Sequence, residues 1–195
     1  TIMLPNIDGE QAIAAQIHRP LDFTSVTDHG ETLGQIGVCS ENAGRLGYWW
    51  PMCIGTRSTN YYVQLGSLSL WAINNVSREG EKKETFACKL SDCKAAGLEL
   101  WSNIKQAAED HYDRSSECKF TTFVGYEYTD APDTKNMHRN VIFRNENVTD
   151  YPITTFDTGS YNFPNLWTQL QSQCIDPDQG RDVIAIPHNP NLAGG

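Results

Sequence analysis

The sequence contains few basic residues and no long apolar run. Its 15 Lys and Arg residues face 24 Asp and Glu residues, which gives a net charge of −9 and a pI near 4.9. Proteins that bind the phosphate backbone of nucleic acids present basic patches, so this balance argues against a nucleic-acid partner. No apolar stretch approaches the roughly 20 residues of a membrane span, which argues against a transmembrane segment.

Internal repeats and low-complexity tracts are also missing. A chain of 195 residues with 39% hydrophobic residues can bury a sizeable core, so the sequence predicts a single domain over residues 1–195. Residues 35–85 mix glycines, aromatic residues and polar residues without a clear period. We therefore expect an irregular insertion there.

The cysteines form no C-x-x-C pair, which argues against a thiolate zinc site. There are six: Cys39, Cys53, Cys88, Cys93, Cys118 and Cys174. Pairing of sequence neighbours would join Cys39 to Cys53 and Cys88 to Cys93, and would leave Cys118 for Cys174; this is one of about 15 connectivities. Disulfides would indicate a protein exported to the periplasm or secreted. Free buried thiols are the alternative, and with them a cytoplasmic location stays open.

Short apolar, β-branched stretches begin or end on Asp, His or Glu. LDFTSVTDHG (21–30) leads to Asp28 and His29, KFTTFVGYEY (119–128) leads to Glu127, and VIAIPH (183–188) ends on His188. A fourth stretch, 141–143, follows closely after His138. These are the side chains that bind divalent metals, so the pattern predicts a metal site.

The apolar stretches are continuous rather than alternating, which is typical of strands buried on both faces of a parallel sheet. Residues 94–113 and 164–174 carry apolar residues at helical spacing. The sequence thus predicts an α/β fold, with parallel strands ending near residues 28, 126 and 187 and helices packed outside. In such folds the functional groups gather at the carboxyl ends of the strands.

The motifs TDHG, GYE, MHRN and IPHN, in this order, resemble the metal-site motifs of the PHP (polymerase and histidinol phosphatase) group of phosphoesterases. More closely, RPLDFTSVTDHGETLG, CKFTTFVGYEYT, HRNVIFRN and VIAIPHNPNL resemble domain-of-unknown-function family 3604, a bacterial family related to that group. This resemblance runs from about residue 19 to residue 195. It implies a PHP-like distorted (β/α) barrel with the 35–85 insertion over its rim. Two or three divalent ions, of zinc, manganese or iron, would lie at the barrel mouth.

The resemblance also implies roles for individual residues. His29, His138 and His188 match histidine ligands, Glu127 matches the bridging carboxylate, and Asp28 lies beside the first ligand as a ligand or its support. Arg139 is a candidate for binding an anionic oxygen, with a structural role as its alternative. Taken singly, each residue has a plainer explanation: Asp28 as a helix cap, Glu127 as an ion-pair partner of Arg139, His188 as a turn residue.

Two parts of the PHP pattern are missing, because no H-x-H pair precedes TDHG and no D-x-H follows IPHN. A full barrel takes about 200 to 250 residues or more. We therefore expect an incomplete segment of a longer protein, completed by other segments of the same precursor or by a complementing subunit; otherwise these ligands have been lost. The expected function is a metal-dependent hydrolase, closest to a phosphoesterase, in which a metal-activated water attacks a small anionic substrate. The alternative is a non-catalytic, PHP-derived binding or assembly module in an exported protein.

Overall fold

The computed structural model describes residues 2–5, 11–40, 42–75, 85–132 and 135–188. The chain begins with an antiparallel hairpin of strands β1 (Ile2–Pro5) and β2 (Gln11–Ala15). The remaining described strands are β3 (Phe23–Ser25), β4 (Thr121–Phe123), β5 (Gly125–Tyr128), β6 (His138–Phe143) and β7 (Val183–His188). These five strands position the candidate site.

Strands β3 to β7 lie side by side in two small sheets. Strand β3 pairs in parallel with β4, and β5, β6 and β7 form an antiparallel sheet in that order. Backbone hydrogen bonds connect the two groups: the Glu127 N–H donates to the Asp28 carbonyl (2.8 Å), and the Phe143 N–H donates to the Val124 carbonyl (2.9 Å). The chain after β3 therefore runs along β5, and His29 forms a parallel bridge with Glu127.

This arrangement is a mixed α/β fold, and the described residues form no closed barrel. The predicted parallel pairing is found for β3 and β4, but the strand that ends near residue 187 pairs antiparallel with β6. The short connection from β5 to β6, residues 129–137, accounts for the antiparallel direction of β6 relative to β5. A parallel neighbour needs a crossover of a dozen or more residues, whereas a short connection returns the chain antiparallel. Strand β7 then pairs antiparallel with β6 and runs in the same direction as β5.

The described part of the chain contains seven α-helices: α1 (Leu33–Ser40), α2 (Pro51–Thr56), α3 (Tyr61–Asn75), α4 (Phe86–Leu90), α5 (Cys93–His111), α6 (Thr155–Thr158) and α7 (Phe163–Cys174). Local sequence explains several of their starts. The Asp92 side chain accepts a hydrogen bond from the Ala95 N–H and caps α5. Asn162 caps α7 in the same way, and Pro51 occupies the first turn of α2, where its missing N–H costs nothing.

The prediction of an irregular insertion over residues 35–85 is wrong for most of its described part, which contains α2, α3 and most of α1. The error came from reading glycines as turn signals. Gly37 lies where α1 crosses α5, and a Cβ atom there would come within 2.8 Å of the Ala96 carbonyl oxygen. Glycine is needed at this position for close helix packing rather than for a turn. Residues 76–84 of the expected insertion lie outside the described residues.

The main hydrophobic core lies between one face of the β5–β6–β7 sheet and helices α5 and α7. Its buried residues are Leu33, Trp101, Val124, Tyr126, Tyr128, Val141, Phe143, Ile153, Leu166, Leu170 and Cys174. A second, smaller core lies among α1, α2, α4 and α5, and consists of Val38, Cys39, Cys53, Ala87 and Ala96. The main core holds one face of the sheet and leaves the other face for the candidate site.

Two of the expected cysteine pairs are confirmed as disulfides, Cys39–Cys53 and Cys88–Cys93. The third expected pair is wrong, because Cys118 is an exposed free thiol and Cys174 is a buried one. Cys174 ends α7 inside the main core, whereas Cys118 lies in the exposed loop before β4. Two disulfides are consistent with a periplasmic or extracellular protein. Among the described helices, none has the length and apolar character to span a bilayer.

Candidate metal centre

Side-chain alternation separates the core face of the sheet from the face that carries the candidate site. In β5, Tyr126 and Tyr128 are fully buried in the main core, so Glu127 between them points to the opposite face. In β6, Val141 and Phe143 point into the core, so His138, an odd number of positions away, also points to the opposite face. The two side chains therefore share one face of the sheet.

Strand direction brings these residues to the same edge. Glu127 lies near the end of β5, and His138 begins β6, which runs antiparallel to β5. The register of β6 and β7 pairs His138 directly with His188. On the other side of β5, His29 forms its bridge with Glu127. Four residues from distant parts of the sequence thus meet at one edge.

The three imidazole rings surround a single carboxylate oxygen. Glu127 Oε1 lies 2.5 Å from His138 Nδ1, 3.2 Å from His188 Nε2 and 3.7 Å from His29 Nδ1. The centroid of the His138 ring is 5.5 Å from that of His29 and 5.9 Å from that of His188, with both pairs close to perpendicular. The carboxylate is therefore the centre of the group.

The electrostatic environment keeps the Glu127 side chain in its anionic form. Burial alone would raise its pKa, but contact with His138 and the nearby His29 and His188 outweigh this effect and lower the pKa below its ordinary value. The side chains of Glu127 and His138 are each only 12% exposed, whereas that of His29 is 48% exposed. The centre is buried on one side and reachable from solvent on the other.

The donor atoms of this group fit a divalent transition metal. Glu127 Oε1 and His138 Nδ1 are buried, face each other, and have no hydrogen-bond partner of acceptable geometry among the described residues. Ligand atoms of His29, Glu127 and His138 lie within 4.8 Å of one another. Imidazole nitrogens combined with a carboxylate oxygen are typical ligands of zinc, iron and manganese. His29, Glu127 and His138 can hold such an ion, with His188 beside them.

Comparison with protein families agrees with the motifs that form this site. The family model described as "Protein of unknown function (DUF3604)" matches residues 5–195. The chain belongs to this family. The matched range includes all four residues of the candidate centre. No curated protein and no solved structure matches the chain.

Two residues predicted for the site of this DUF3604 chain are not brought to it. Asp28 is exposed and lines an apolar groove of about 600 Å³ together with Val26 and Leu100. The Arg139 guanidinium lies 3.7 Å from the centre of the Phe163 ring, and burial lowers its pKa. Both are direct neighbours of a histidine at the centre, and adjacent strand residues point to opposite faces.

Sequence reasoning missed two residues beside the centre of the DUF3604 chain: Thr129, which contacts His29, and Glu31, which contacts Thr129. Thr129 Oγ1 lies 2.5 Å from His29 Nδ1, and the Thr129 backbone N–H donates to Glu31 Oε1 at 2.8 Å. Both residues are close in sequence to the motifs, since Thr129 follows GYEY and Glu31 follows TDHG. An acidic residue directly before an apolar helix was the available signal for Glu31, but its reach to Thr129 depends on the tertiary fold.

Proposed function

We propose that this protein is a metal-dependent hydrolase, with phosphoesters as the first substrate class to test. The observation that supports the proposal most is the approach of three imidazole rings to Glu127 Oε1 at the edge of the sheet. The resemblance of the TDHG, GYE, MHRN and IPHN motifs to those of the PHP phosphoesterases supports the choice of chemistry. Under this proposal, the described strands are part of a PHP-like barrel.

The residues of the centre have separate roles in this proposal. Glu127, His29, His138 and His188 would hold the metal, and its bound water would become an effective nucleophile because its pKa falls to about 7. The lowered pKa of Glu127 keeps its carboxylate anionic at neutral pH, as a metal ligand must be. His29 and His188 are more exposed than Glu127 and leave the centre open to a substrate from their side.

The phosphoester class rests on the resemblance, because Arg139 does not face the centre. Its guanidinium stacks on Phe163 on the core side of the sheet and is also 5.4 Å from the Trp167 ring centre. Arg139 therefore supports the structure of β6 and α7, and we assign it no contact with substrate.

A non-catalytic binding or assembly module is the second candidate, and one observation favours it. Ile184 and Ile186 lie on the same face of β7 as His188, and they are 56% and 46% exposed. Phe23 in β3 is also exposed, and its ring packs edge-on against Phe123. Exposed apolar side chains on one sheet face are typical of a surface that another segment or protein covers.

The test replaces Glu127 by Gln, which keeps the size of the side chain and removes its charge. The matched control is Glu117→Gln, because Glu117 is exposed and pairs only with the nearby Lys119 in the described contacts. Each protein is supplied with zinc, manganese or iron. Its metal content is then measured by elemental analysis, and its hydrolytic activity is measured with p-nitrophenyl phosphate as substrate. We expect bound metal and hydrolysis in the parent and in Glu117→Gln, and loss of both in Glu127→Gln.

The possible results separate the two candidates. Metal without hydrolysis of any tested ester in the parent would overturn the hydrolase and support the module. A parent protein without stoichiometric metal would overturn the metal centre itself. Metal content unchanged by Glu127→Gln would show that the carboxylate is not a ligand.

A further inference from the structure

The short 3-10 helix after His29 carries a carboxylate that is unusually well buried for an acidic residue. Glu31 is only 8% exposed, in the turn Gly30–Thr32. Its Oε1 atom accepts a hydrogen bond from the Thr129 backbone N–H. Burying a carboxylate is costly unless hydrogen bonds compensate, and a bond from an N–H to an anion is stronger than one between neutral groups. The buried Glu31 carboxylate is therefore stabilised by a specific partner, the backbone N–H of Thr129.

That partner also contacts the candidate metal centre. The hydroxyl of Thr129 lies 2.5 Å from His29 Nδ1, while its backbone N–H is held by Glu31. Thr129 is two residues beyond Glu127, and Glu31 is two residues beyond His29. The contacts run crosswise between two segments that are about a hundred residues apart in sequence.

We propose that Glu31 and Thr129 are positioning residues that orient the His29 ring for metal binding. We call the two contacts the Glu31–Thr129 clamp. This inference rests on the metal centre proposed above and adds the residues that set its geometry. Glu31 fixes the Thr129 backbone, and the Thr129 hydroxyl then fixes the rotation of the His29 ring.

His29 needs such support more than the other ligands do. It is the most exposed of the three histidines and the farthest from Glu127 Oε1. His138 and His188 are on paired strands of one sheet, whereas His29 lies beyond the end of β3 and meets β5 at its bridge with Glu127. Ligating histidines commonly bond a second polar group through the ring nitrogen that does not hold the metal, which fixes their orientation and raises metal affinity. With Nδ1 on the Thr129 hydroxyl, Nε2 of His29 would be the atom that binds the ion.

The clamp predicts a specific loss of metal affinity when the Thr129 hydroxyl is removed. Thr129→Val keeps the shape of the side chain and the backbone N–H that Glu31 binds, while Thr129→Ser restores a hydroxyl. The matched control is Thr168→Val, because Thr168 is exposed on α7 and its hydroxyl bonds only the Pro164 carbonyl in the described contacts. Glu31→Gln tests the other half of the clamp with little change in size.

The probe is Co²⁺ alone, titrated into the purified protein and followed by its visible absorption, which reports ligand geometry as well as affinity. We expect Thr129→Val to weaken Co²⁺ binding by about 10- to 100-fold and to change the absorption spectrum. Glu31→Gln should weaken binding in the same direction but by less, because the amide oxygen can still accept the Thr129 N–H. Thr129→Ser and Thr168→Val should resemble the parent.

The possible outcomes test the Glu31–Thr129 clamp separately from the proposed metal centre. If the parent binds Co²⁺ and Thr129→Val binds it equally with the same spectrum, the clamp is wrong and the metal centre stands. If the parent binds no Co²⁺, the metal centre fails and the clamp fails with it. Thermal unfolding of the metal-free variants checks folding. Should Thr129→Val be unstable, weak Co²⁺ binding by a stably folded Thr129→Ser would also contradict the clamp.

Discussion

The protein has two cores that are stabilised in different ways. The main core consists largely of big aromatic and aliphatic side chains, including Trp101, Tyr126, Tyr128, Phe143 and Leu166. The smaller core consists of Val38, Cys39, Cys53, Ala87 and Ala96, and both disulfides are in or beside it. Alanine and cysteine bury little apolar area, so this region gains less from burial and more from covalent links.

The two cores also differ in their relation to the proposed function, because only the main core supports the candidate metal centre. The candidate metal centre lies on the sheet that the main core supports, and Trp101 from α5 contacts Tyr126 and Phe143 beneath it. The smaller core positions α1, α2 and α4, away from the ligands except at His29, which precedes α1. We therefore expect loss of the disulfides to weaken the smaller core strongly and the metal centre only weakly.

The largest expected effect comes from removing the disulfide inside the smaller core. Cys39→Ala with Cys53→Ala opens a link between residues 14 positions apart. A closed loop of this length constrains the unfolded chain by about 3 kcal/mol, so the free energy of unfolding should fall by about that amount. Urea unfolding measures the change, with Cys118→Ala as the control because that thiol is exposed and unpaired.

Metal binding by the variant that lacks both cysteines tests whether the smaller core and the metal centre are independent. Its affinity for Co²⁺ should remain close to that of the parent at temperatures where both are folded. An unchanged free energy of unfolding would show that burial alone maintains the smaller core. A collapse of metal affinity at full folding would show that the two regions are not separate.

A smaller effect is expected from adding a methyl group at the position where α1 packs closely against α5. Gly37→Ala introduces a Cβ atom 2.8 Å from the Ala96 carbonyl oxygen and 3.1 Å from its Cβ, so the helices must separate. Overpacking of this kind costs about 1 to 3 kcal/mol. The control is Gly66→Ala in α3, where no atom lies within 4 Å of the added Cβ. That variant should gain up to about 1 kcal/mol from better helix propensity.

The two glycine variants should therefore change the free energy of unfolding in opposite directions. Chemical unfolding under oxidising conditions gives both values. Equal stabilisation of the two variants would mean that α1 and α5 can separate without cost, and the close approach would then not explain the glycine.

The site residues could be predicted from the sequence because their signals are local. Glu127, His29, His138 and His188 were identified because each follows or precedes an apolar stretch, and strand ends are local features. The structure brings these four residues together at one edge, although the strands beside β6 run antiparallel to it. Strand direction depends on which strands pair, and this is decided by connections and tertiary contacts rather than by the apolar pattern itself.

Three errors have specific physical causes. Asp28 and Arg139 adjoin histidines of the site motifs in sequence, but alternation along an extended chain places neighbouring side chains on opposite sides, and for Arg139 the contact with Phe163 agrees with the structural role given as its alternative. Gly37 lies in the range expected to be irregular, whereas in the structure it allows close packing of two helices. The pairing of Cys118 with Cys174 was inferred by elimination, and elimination carries no information about distance.

Replacing Arg139 by Lys tests its position on the core side of the sheet. Lysine keeps the charge but loses the planar stacking on Phe163, so the free energy of unfolding should fall by about 1 kcal/mol. Co²⁺ affinity should not change. The control is Arg144→Lys, since Arg144 is exposed and its described hydrogen bond to Asp182 comes from the backbone. Unchanged stability with a large loss of phosphoester hydrolysis would instead restore Arg139 as an anion-binding residue.

The smallest expected effect is at Asp28, the neighbour of a proposed ligand. Asp28→Asn preserves the side-chain size and the backbone carbonyl that accepts the Glu127 N–H. Because Asp28 lines the apolar groove and is not among the residues whose ligand atoms converge at the centre, Co²⁺ affinity should stay within about twofold of the parent. A tenfold loss would correspond to about 1.4 kcal/mol. His29→Gln, one position away, should reduce the affinity strongly. The two variants change adjacent positions, so their comparison tests which of the two side chains binds the metal. If Asp28→Asn weakened binding as much as His29→Gln, Asp28 would be a ligand after all, and the strand would have to turn before Asp28 rather than continue along β5.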